Sequence, residues 1–77
     1  MMHSSPEDAR FHKRSVSLHG HKTSVSLENA FWRVLEHAAL AQNISLSQLI
    51  RQVDENRQGA LSSALRLYAL RVAYTLN

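Results

Sequence analysis

The chain has 77 residues, a formal net charge of +3 and no cysteine. A chain this short forms one small domain with a marginal core. Without cysteine neither a disulfide nor a thiolate zinc site can reinforce it, so pairing of two copies into a homodimer is the expected remedy. A hydrophobic content of 44% excludes a disordered chain, and no apolar run is long enough to cross a membrane or serve as a signal peptide, so a cytoplasmic protein without a membrane partner is expected.

Residues 1–12 contain Pro6 and the adjacent acids Glu7 and Asp8, show no periodicity and read as a flexible tail ahead of a single domain over 13–77. The domain opens by saying nearly the same thing twice: Lys-Arg-Ser-Val-Ser-Leu from Lys13, three residues, then Lys-Thr-Ser-Val-Ser-Leu from Lys22. Both halves alternate polar and apolar, which predicts strands over 14–18 and 22–27. Arg10, Lys13, Arg14 and Lys22 fall here with no acid between Arg10 and Leu27, beside His12, His19 and His21. Such a local positive field attracts phosphate, although a solvated basic surface looks the same in sequence.

From Glu28 the period changes to that of a helix. Phe31, Val34, Leu35, Ala38 and Ala41 recur at helical spacing, predicting a first helix over about 28–43, with Asn43 suited to a left-handed ending. Ser45 and Gln48 match a capping box, so a second helix is expected over about 45–57, carrying Leu46, Leu49, Ile50 and Val53 inward until Gly59 breaks it. A third helix over about 61–75 shows a broad apolar stripe of Leu61, Leu65, Tyr68 and Val72, widened by Ala64, Leu67 and Leu70, with Arg66 and Arg71 at its rim.

Strand, helix, short turn and helix in a small basic chain resembles the ribbon-helix-helix family over residues 22–53. The whole chain is more similar to a subgroup of small bacterial members with an extra C-terminal helix. The resemblance implies a mainly α fold with a short β ribbon, an interlocked homodimer with antiparallel intermolecular strands, and a repressor-like transcriptional regulator whose ribbon reads double-stranded DNA in the major groove. Leu27 precedes the helix and should face the core with Val25 and Thr23, which turns Lys22, Ser24 and Ser26 toward base edges. Lysine can donate to guanine O6 and N7, whereas the serines tolerate several bases. The resemblance also places Ser45 and Ser47, at the start of the second helix, on phosphate; a helix cap alone would account for Ser45. The dimer core implied is Val25, Leu27, Phe31, Leu35, Leu46, Leu49, Ile50 and Val53.

The first half of the repeat has two readings. As a hairpin, a type II′ turn at Gly20 and His21 would set Val16 opposite Val25 and Ser17 opposite Ser24. Two such hairpins joined edge to edge make a ribbon of four strands, roughly 15 Å across. That is too wide for a groove of about 12 Å. The expectation is therefore that 22–27 is the working strand and 14–18 a detachable edge strand or arm, with Lys13 and Arg14 tracking phosphates.

No cofactor or metal is expected. His19-Gly20-His21 lacks a third ligand, and glycine between the histidines suits a turn. No nucleophile with its base, phosphate-binding loop or paired-carboxylate site is present, so an enzyme is not expected. Trp32, beside the inward Phe31, would close the core from the side or meet the second chain. The alternative to DNA binding is a homodimeric, antitoxin-like interaction module that holds a partner protein with the C-terminal helix.

Overall fold

The repeated segment folds back on itself within one chain. The structure, a computed structural model, describes residues 6–76. The element order is α1 (Pro6–Ala9), β1 (Phe11–Leu18), β2 (His21–Glu28), α2 (Asn29–Ala41), α3 (Leu46–Asn56) and α4 (Leu61–Leu76). Of the segment read as a tail, residues 1–5 lie outside the described ones, Pro6–Ala9 form a short helix, and Phe11 and His12 already belong to β1.

β1 and β2 form an antiparallel pair with Leu18 opposite His21, Val16 opposite Thr23 and Arg14 opposite Val25. This register is two residues from the one expected. The two-residue turn is His19-Gly20, both at positive φ (51° and 81°). Positive φ at both central residues is the type I′ signature, in which glycine takes the second place; the type II′ turn would have put it first. A shift of two preserves the pleat, so the inward set is unchanged. Val16, Leu18, Val25 and Leu27 are all buried. β2 therefore pairs with β1 of its own chain, where the resemblance implies a strand from a second chain.

The inner face of the hairpin packs on Trp32, Leu35, Ala38 and Ala39 of α2, Leu49 and Ile50 of α3, and Leu65 and Ala69 of α4. The apolar stripe of α2 is rotated from the expected one: Trp32 is 1% exposed, while Phe31 is only half-buried and Ala41 is exposed. The indole explains the choice. Its Nε1 donates to the His12 carbonyl at 2.8 Å, so the large ring can be buried with its one donor satisfied. Burying two such side chains as Val16 and Leu18 stabilises by about 1.5–3 kcal/mol each. β1 is thus an integral wall of the core, and the expectation of a detachable arm does not describe this fold.

Local signals set the joints. α2 ends in a Schellman motif: Asn43 adopts φ 59°, its N–H bonds to the Leu40 carbonyl and that of Ile44 to the Ala39 carbonyl. α3 begins in the capping box, with the Gln48 amide donating to Ser45 Oγ at 3.1 Å and the Ser45 amide to Gln48 Oε1 at 3.0 Å.

Candidate nucleic-acid interface

The alternation that buries valine and leucine turns the polar half of the repeat outward. Lys13, Ser15 and Ser17 of β1 and Lys22, Ser24 and Ser26 of β2 are all exposed on the outer face. Lys13 stands opposite Ser26, Ser15 opposite Ser24 and Ser17 opposite Lys22. The Arg10 carbonyl accepts from Asn29 N–H, which fixes the ladder parity and makes these three outer pairs the non-hydrogen-bonded kind, in which side chains lie closer together. No acid interrupts the face until Glu28 at the end of β2. That carboxylate lies 3.0 Å from Arg66 Nε. Its pKa is held below the ordinary 4.5, chiefly by a hydrogen bond from its own backbone amide and further by the Arg66 guanidinium. Glu28 is therefore an anion at neutral pH, and its counter-charge comes from α4 rather than from the ribbon lysines.

Among the residues expected from sequence, Lys22, Ser24 and Ser26 lie together on this face, and Lys13 joins them directly across the ribbon. Arg14 does not. It occupies the inner side, where its guanidinium sits 4.9 Å from the Trp32 ring centroid and Nη2 lies 2.7 Å from Glu36 Oε2. This stacking and pairing place Arg14 at the edge of the core, apart from the outer face. Ser45 and Ser47 sit on a separate element, at the start of α3. The Ser45 hydroxyl is engaged in its cap, whereas Ser47 is exposed. Val25, Leu27, Leu35, Leu49 and Ile50 are buried inside a single chain, with Phe31, Leu46 and Val53 packed at the margin of the same core. His19 reaches Asp54 of α3 at 3.5 Å, and among the described residues no three His, Asp or Glu side chains form a metal-binding group.

Ser15 and Ser17 also stand on this face, a placement that does not follow when the first half of the repeat is taken as an arm. The signal is present nonetheless: both halves share one polar parity, so pairing them in either register puts all six polar residues on one face.

A two-stranded antiparallel ribbon followed by helix, short turn and helix defines the ribbon-helix-helix class, and a family model described as the ribbon-helix-helix domain matches residues 11–73. The chain belongs to that family, whose members are in general DNA-binding transcription regulators on a non-enzymatic fold and typically bind DNA as dimers. It is similar to a solved structure, that of an uncharacterized protein from Bordetella pertussis Tohama I, with 32% identity and a TM-score of 0.79. The match covers 95% of this chain and 62% of the Bordetella protein, so this chain spans under two thirds of that protein's length. Comparison with curated proteins gives no match. No helix among the described residues is long and apolar enough to cross a membrane.

Proposed function

We propose that this protein is a transcriptional repressor that docks the outer face of its hairpin in the DNA major groove. The carrying observation is that Lys22, Ser24 and Ser26 stand exposed together on a face with no carboxylate before Glu28 at its end, which Arg66 pairs, and that a buried apolar face backs them. Lys22 donates to guanine O6 and N7 and supplies most of the discrimination; the two serines adjust to several bases. Ser47 and the first amides of α3 contact phosphate. Replacing Lys22 with alanine is expected to weaken specific binding by about 1–3 kcal/mol with an unchanged melting curve, because the side chain packs on nothing in the core. Titration of a selected duplex checks it, and unchanged affinity would remove the ribbon as reader.

The protein acts as a homodimer, and its contact lies away from the ribbon. Two strands about 4.8 Å apart enter a groove of about 12 Å, but pairing two hairpins edge to edge would not. α4 offers the other surface: Leu67, Leu70 and Tyr74 are 58%, 46% and 81% exposed at helical spacing. Covering that stripe with a second copy predicts a melting temperature that rises with protein concentration across the micromolar range. A concentration-independent transition would count against the dimer. The same stripe would serve a partner protein in the antitoxin-like alternative, and salt separates the two functions: DNA binding weakens steeply with added salt, whereas apolar capture on α4 does not.

A further inference from the structure

The two halves of the repeat are nine residues apart, and the hairpin pairs them antiparallel. Exchanging the strands maps Lys13 onto Lys22, Ser15 onto Ser24 and Ser17 onto Ser26. The pair Ser15 and Ser24 maps onto itself, so a local two-fold axis passes between these two serines, normal to the ribbon. The axis holds for the three central outer pairs, where equivalent residues are identical, and breaks at the end pair Phe11 and Glu28, whose equivalents Gly20 and His19 lie in the turn, and on the inner face, where Arg14 corresponds to Thr23. Core packing accounts for Val16 with Val25 and Leu18 with Leu27. It does not account for the repeated lysine and serines, because exposed positions of a strand are free of packing demands. The register matters as well: in the one expected from sequence the equivalent lysines would have stood two residues further apart.

We propose that the complete reading head lies within one chain: Lys13, Ser15 and Ser17 are base-facing residues equivalent to Lys22, Ser24 and Ser26, and together they read a short, two-fold-symmetric duplex element. This rests on the functional reading above and extends it. The occupant is duplex DNA for two reasons. The face carries two lysines, its one carboxylate, Glu28, standing at the far end and paired with Arg66, and a DNA duplex carries local two-fold axes that point out of its major groove, matching the axis of the ribbon. Lys13 and Lys22 stand at diagonal ends of the ribbon face, four residues apart along the strand direction, or about 14 Å. At roughly 3.4 Å per base pair this corresponds to guanines about four steps apart, one on each strand. Each chain of a dimer would then read one such element as a whole, where two chains sharing one ribbon would each read half.

The test uses the full-length protein and a random duplex pool. Wild type should enrich an inverted repeat centred on a few base pairs. On that duplex Lys13→Ala and Lys22→Ala should each cost about ten- to a hundred-fold in affinity, and each should relax selection at one of two symmetry-related base pairs. If Lys22→Ala relaxes selection while Lys13→Ala weakens all duplexes alike and lowers the salt slope by about one, Lys13 is a phosphate contact. The symmetric head is then wrong, although the protein still reads DNA. If the wild type enriches nothing, or neither variant alters binding, the ribbon does not read DNA and both readings fall. Melting curves of the two variants should coincide with wild type, since both side chains are exposed.

Discussion

A Val25→Asp chain is expected to lack a cooperative unfolding transition, whereas Ser24→Asp, its neighbour in sequence, should melt like wild type and lose DNA binding. Val25 is 4% exposed, on the inner face between the hairpin and the helices. A carboxylate there has no basic partner placed for it. Arg14 lies opposite in the register but is already committed to Glu36 and the Trp32 ring. Burying an unpaired ionised group costs several kcal/mol even after its pKa adjusts. A domain of this size has about 4–12 kcal/mol in total. At Ser24 the same charge faces water and costs the fold little, but it places an anion at the centre of the cationic face, where a phosphate-lined groove must approach. Urea unfolding followed by circular dichroism, together with duplex titration, separates the two effects. A cooperatively folded Val25→Asp chain would mean that the pleat is turned the other way, and with it the assignment of every ribbon residue.

The features legible in the sequence are those closed by short-range bonds or a strict period. Ser45 with Gln48 and the left-handed Asn43 are satisfied within a few residues, so their chemistry can be read without knowing the rest of the chain. Alternation of period two determines which residues of 22–27 face inward. The turn is less accessible, because a single glycine suits either the first position of type II′ or the second of type I′, and only pairing over the whole ladder decides. Phe31 and Trp32 are both large and adjacent; the choice between them comes from the His12 carbonyl, twenty residues away, that accepts the indole N–H. Arg14 looks like a phosphate ligand because its neighbours in sequence carry no acid. Glu36, on another element, pairs with it in space. Ala39 and Ala69 are nearly fully buried, yet alanine carries little periodic signal of its own.

Removing residues 1–18 is expected to unfold the chain, and removing only 1–10 to leave it folded. The longer deletion takes Val16 and Leu18, each 7% exposed, out of the core. By area alone the two contribute about 3–6 kcal/mol. It also strips the Trp32 N–H of its acceptor, an unmet donor in a buried ring worth roughly 1–3 kcal/mol. β2 would lose the strand it pairs with and expose a bare edge open to aggregation. The sum rivals the whole stability of a domain this small. The shorter deletion costs the ion pair between Asp8 and Arg33 and the bond from the Asn29 amide to the Arg10 carbonyl, both at the periphery, so a loss of about 1–2 kcal/mol is expected. DNA binding should follow the fold: the chain lacking 1–10 keeps both lysines of the ribbon and should retain its selected sequence with a slightly shallower salt slope, Arg10 being gone. Urea titration of the two deletions, with the same duplex offered to each, distinguishes the cases. A 19–77 chain that folded cooperatively and bound as tightly as wild type would restore β1 to the part of an arm, leave β2 to find its partner strand in a second chain, and end the case for a ribbon completed within one.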